Sequence, residues 1–123
     1  MPCGCHGKNG EKASVTRPYD QCTACARKHV KNAWSKWGEF CYEDANRDYV
    51  SAQLRDAADH LKYDHPETAM QCRALAMAIE ENRDEGKAQT AATLERLLDE
   101  VRGLFYADNP EAKERLEAMR NGN

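Results

Sequence analysis

The chain has no apolar run of about 18 residues or more, so no segment is long enough to read as a membrane-spanning helix. Its opening residues, Met1-Pro2-Cys3-Gly4-Cys5-His6-Gly7, lack the apolar stretch of a secretory signal, and the expected location is the cytoplasm. No stretch alternates apolar and polar residues with period two over a useful length, which argues against a sheet. Paired carboxylates, a nucleophile beside a base and a glycine-rich phosphate loop are also missing, so an enzyme is not expected. No internal repeat or low-complexity tract is found.

What is present fits one soluble domain. At 123 residues, with 41% apolar and 32% charged residues, the chain can bury a modest core but hardly two. Six cysteines could form three disulfides, yet without a secretory signal a reducing compartment favours free thiols or metal thiolates. Charge is uneven. Residues 1 to 37 carry seven Lys or Arg against two acids, and residues 38 to 123 carry eleven against nineteen, so a basic head precedes an acidic body. Such asymmetry can face nucleic acid, guide subunit packing, or mark solvated helix faces.

Periodicity predicts an all-α protein: a small helical bundle of about four helices, residues 19 to 123, behind an extended arm over residues 1 to 18 that ends at Arg17-Pro18. Asp20 is the expected cap of the first helix, in which Cys22, Cys25, Val30, Ala33, Trp34 and Trp37 recur at helical spacing until Gly38. Val50, Leu54, Ala57, Ala58 and Leu61 place a second helix over about 47 to 63. Asp64-His65-Pro66 ends it and starts a third, with Pro66 in the first turn where its missing N–H costs least. That helix runs to about Asp84, and the width of its apolar surface (Met70, Cys72, Leu75, Ala76, Met77, Ile79) suggests a central place in the bundle. The fourth, from Lys87 to about Tyr106, carries Leu94, Leu97, Leu98, Val101, Leu104 and Phe105, a stripe expected in the core rather than at an oligomer seam. A short charged helix anchored by Leu116 and Met119 follows Asn109-Pro110.

The chemistry concentrates in Cys22-Thr23-Ala24-Cys25-Ala26-Arg27-Lys28-His29. Donors at i, i+3 and i+7 on a helix of 3.6 residues per turn fall within an arc of roughly 60°. Zinc takes about four Cys or His ligands in a tetrahedron, and one helix face can supply only one side of it. Two completions stand open. Cys72, on the apolar side of the third helix, joins Cys22, Cys25 and His29 in the preferred set. Alternatively Cys3-x-Cys5 closes a four-thiolate site with Cys22 and Cys25 across a sixteen-residue loop. Cys41 lies about 100° to 160° around an unbroken first helix from the other donors, so it reads as a small buried hydrophobe. Structural zinc is the expected cofactor, because no Glu stands between Cys22 and Lys36 to act as a base beside a catalytic metal. His60 and His65 read as cap or surface residues, and the spacing of Trp34 and Trp37 fits burial better than base stacking.

The stretch from Cys22 to Val30, followed some forty residues later by His65-Pro66-Glu67 and the Ala-rich segment Ala69 to Glu81, resembles small helical proteins encoded in phage and prophage genomes. Those proteins carry a similar C-x-x-C-x-x-K-H stretch on a helix, continue into a second Ala-rich helix, and tend to have His where this chain has Cys72. The resemblance implies a metal-stabilised bundle in a viral or mobile-element setting, hence host cytoplasm or virion, and no particular reaction. The expected function is therefore non-enzymatic contact with a protein partner or a second copy. A small nucleic-acid-binding regulator using Arg27, Lys28, Lys31 and Lys36 is the second reading, and a thiol redox protein the third.

Overall fold

A computed structural model describes residues 22–40 and 44–121. The expected arm lies outside them, as do Cys3, Cys5, Asp20 and Cys41. Five helices follow one another: α1 Thr23–Phe40, α2 Asp44–Leu61, α3 Pro66–Glu80, α4 Lys87–Asp108 and α5 Pro110–Asn121. No strand occurs among the described residues. The all-α expectation holds, with the short terminal segment counting as a fifth helix.

Each of the first four helices buries a row with the period of 3.6 that amphipathic packing requires. The rows are Ala26, Val30, Ala33 and Trp37; Val50, Leu54, Ala57, Ala58 and Leu61; Ala69, Cys72, Ala76 and Ile79; and Leu94, Leu97 and Val101. Together they form one core. Alanines on α1, α2 and α3 let the helix backbones approach closely, and each fully buried Leu contributes roughly 1.5 to 3 kcal/mol.

Packing order differs from chain order. α1 and α2 lie against each other at the centre, α3 flanks α2, and α4 flanks α1. The expected central place for α3 is therefore corrected: it is an edge helix that meets α4 only lightly. Counting apolar residues measured the width of its surface but not which part meets a partner, and Met70 and Met77 face solvent. Across the gap, α3 and α4 are joined by polar bridges. Thr68 Oγ1 donates to Glu100 Oε1 at 3.0 Å, and Arg96 Nη1 donates to Gln71 Oε1 at 3.1 Å. An open cleft of about 350 Å³ lies beside them.

Helix boundaries moved where local signals competed. Gly38 does not stop α1, which continues to Phe40. α2 begins at Asp44, whose carboxylate suits the positive end of the helix dipole, rather than near residue 47. α3 stops at Glu80 instead of Asp84, because Asn82 turns into the left-handed region at φ 56°. Gly86, at φ 97°, caps the start of α4 and does not end α3.

The end of the bundle where α1 finishes is tightly tied. Trp37 is buried, and its Nε1–H donates to the Lys87 carbonyl at 3.0 Å, joining α1 to the first turn of α4. The Arg47 guanidinium lies 5.2 Å from the Trp37 ring centre, donates to the Ile79 carbonyl at 3.2 Å and pairs with Asp84. One arginine thus adds a second donor to a carbonyl that already accepts Asn82 N at 3.2 Å, and neutralises a nearly buried carboxylate.

Candidate functional site

The opposite end of the bundle gathers the reactive side chains. Cys22 stands immediately before α1, and its carbonyl accepts the first helical hydrogen bond, from Ala26 N at 3.1 Å. Its Sγ also accepts the backbone N–H of Cys25 at 3.3 Å. Cys22 therefore occupies the N-cap place expected of Asp20, with sulfur in the role an oxygen usually plays. Cys22 and Cys25 are both buried and form a small cluster of their own with Ala24, apart from the main core.

Cys72 belongs to that main core. It is fully buried, and burial pushes its thiol up to about 12, with Glu100 adding to the shift and Arg73 opposing it. At neutral pH it is a protonated, apolar-packed thiol. The structure thus brings Cys22 and Cys25 together and places Cys72 elsewhere. Among the described residues no three His, Cys, Asp or Glu side chains gather closely enough to hold a metal ion.

His29 points between α1 and α2. Its Nδ1 lies 2.7 Å from Gln53 Oε1, which also accepts from Asn32 Nδ2 at 3.4 Å. An amide oxygen can only accept, so Nδ1 carries the proton and the lone pair of the neutral ring is on Nε2. The ring stacks on His60 with centroids 5.4 Å apart and planes 16° from parallel. His60 is buried, contrary to its reading as a cap or surface residue. The signal was available: Gln53 and His60 are seven residues apart beside the apolar row of α2, and His60 follows Ala57 by three.

Two more elements converge on this end. His65 takes the N-cap place of α3, followed by Pro66 as expected, and its Nε2 is 3.7 Å from Asp108 Oδ2 at the end of α4. The Arg27 guanidinium lies over the Phe105 and Tyr106 rings at 5.2 and 5.6 Å. Among the cations of the nucleic-acid reading, Arg27 is thus engaged within the chain. So is Lys36, 3.6 Å from Glu39 and over the Tyr49 ring. Trp34, unlike Trp37, remains partly exposed.

Comparison with protein-family models, with curated proteins and with solved structures finds no match to this chain. No helix among the described residues is long and apolar enough to cross a membrane.

Proposed function

We propose that this chain is a non-enzymatic, zinc-stabilised helical protein that works through protein-protein contacts, as an accessory or virion component of a phage or prophage. The observation that carries the metal reading is the Cys22–Cys25 pair at the start of α1, with one sulfur already accepting the N–H of the other residue. Two thiolates in a C-x-x-C turn supply half of a tetrahedral zinc site. Cys3-x-Cys5, outside the described residues, supplies the other half in this reading. Cys72 is the weaker choice, because a thiol held protonated by apolar burial must lose both its proton and its packing before it can bind a metal. Zinc would lend this end of the bundle what the buried tryptophan and its arginine lend the other. The phage setting rests on the C-x-x-C-x-x-K-H resemblance.

Elemental analysis and native mass of the purified chain, beside Cys5→Ala and Cys72→Ala variants, test the site. One zinc per chain, lost in Cys5→Ala and kept in Cys72→Ala, is the expected result. Loss in Cys72→Ala alone would restore the set of Cys22, Cys25, His29 and Cys72. A chain free of metal in every preparation would overturn the reading.

A further inference from the structure

The gap between α3 and α4, which meet only lightly, is the cleft of about 350 Å³ noted above. Its apolar wall belongs to α3, where Ala74, Leu75 and Ala78 share one face of the helix. Alanine at two of these places leaves open the space a larger side chain would fill. From Gln71 to Ala78 this wall is roughly 10 Å long, at a rise of about 1.5 Å per residue. Pockets for small ligands begin at about 300 Å³, so the cleft has room for one.

The charges on the cleft divide into committed and free. Arg83 Nε donates to Glu81 at 2.8 Å, and Asp84 pairs with Arg47. Glu85, in the loop that follows α3, and Arg96, farther along α4, are exposed and stand in no ion pair among the described residues. Arg96 gives one N–H to Gln71 Oε1, at the far end of the α3 wall from the loop, and keeps its other donors. The cleft therefore carries one free charge of each sign, at opposite ends. Between them Thr90 lines the floor. It is 2% exposed, and its hydroxyl has no hydrogen-bond partner among the described residues. A hydroxyl buried in that way costs stability until something supplies the missing partner.

We infer that the cleft binds a short peptide with both ends free, about three residues long and with small side chains. Extended residues advance about 3.3 Å each, so three of them match a wall of roughly 10 Å. The peptide ammonium pairs with Glu85, and the carboxylate pairs with the Arg96 guanidinium, whose planar fork suits it. A peptide carbonyl accepts from the Thr90 hydroxyl, and methyl side chains rest on Ala74, Leu75 and Ala78. None of these residues belongs to the cysteine end of the bundle, so the inference stands apart from the metal.

Amide NMR spectra of the full chain, titrated with tri-alanine, test it. The shifts are expected to saturate at millimolar peptide and to map to α3 and α4 around the cleft. Glu85→Gln and Arg96→Gln should each weaken binding about fivefold, the upper size for an exposed ion pair, with helical circular dichroism kept. End-blocked peptides assign the two charges. N-acetyl tri-alanine should bind Glu85→Gln as well as it binds the wild type, and tri-alanine amide should do the same with Arg96→Gln. Should Arg96→Gln lose helix, the amide peptide on the wild type decides, since it removes the ligand's charge and leaves the protein untouched. No saturable shift in the wild type, shifts gathered round Cys22 instead, or equal binding of tri-alanine and its doubly blocked form overturns the inference.

Discussion

The two ends of the bundle are built on different principles. Where α1 finishes, Trp37 bonds the Lys87 carbonyl and Arg47 bonds both the Ile79 carbonyl and Asp84, while the buried Thr90 hydroxyl has no partner among the described residues. Where α1 starts, thiols and imidazoles gather instead. Cys22 and Cys25 sit apart from the core, and among the described residues the buried Thr23 hydroxyl has no partner and His65 Nε2 has none within hydrogen-bond distance. The closed end ties helices together through side-chain bonds, and the other end carries the two thiols at the start of α1.

Substitutions can break this contrast in order of size. Trp37→Ala should cost about 3 to 5 kcal/mol in urea unfolding, the range for emptying a large aromatic site, and it also strands Arg47 over a cavity. Arg47→Met should cost about 2 to 3 kcal/mol, somewhat below the range for a fully buried pair because Arg47 keeps some exposure, with Asp84 left uncompensated. Adding Asp84→Asn to Arg47→Met should recover part of that loss in the double-mutant cycle.

Cys72 gives a smaller effect that depends on pH. Its folded value, about 12, lies above the ordinary 9.0, so its contribution is complete below pH 9 and is lost as pH rises toward 12. The wild type should therefore lose up to about 1.4 kcal/mol per pH unit more than Cys72→Ala over that window, read from urea midpoints. A slope shared by both proteins would mean that the thiol titrates freely.

The smallest effect should have the opposite sign. Thr23→Val removes a buried hydroxyl that has no partner among the described residues and should stabilise by up to about 1 kcal/mol. A loss of similar size would instead show that the hydroxyl is satisfied in solution, and the contrast between the ends would narrow.

On α2 the row from Val50 to Leu61 was legible because side chains repeat with the helix, and Pro66 marked the start of α3 because proline tolerates so few other places. The cysteine motif was equally plain, yet its geometry was not. An angular reading put Cys22, Cys25 and His29 on one helical face, but Cys22 lies just outside the helix as its cap, and Gln53 and His60 on another helix hold His29. Spacing along a chain describes neighbours on one element and is silent about the elements across from it.

Helix content, the period of the apolar rows and the presence of a two-thiol turn thus follow from residue order, since propensity, period and capping act over a few neighbouring residues. Which helices lie at the centre, that Cys72 joins the core rather than the other thiols, and that Trp37 and Arg47 close one end are set by tertiary contacts alone. Those contacts join residues far apart in the chain, and choosing among them depends on the fit of whole surfaces, which no local pattern encodes.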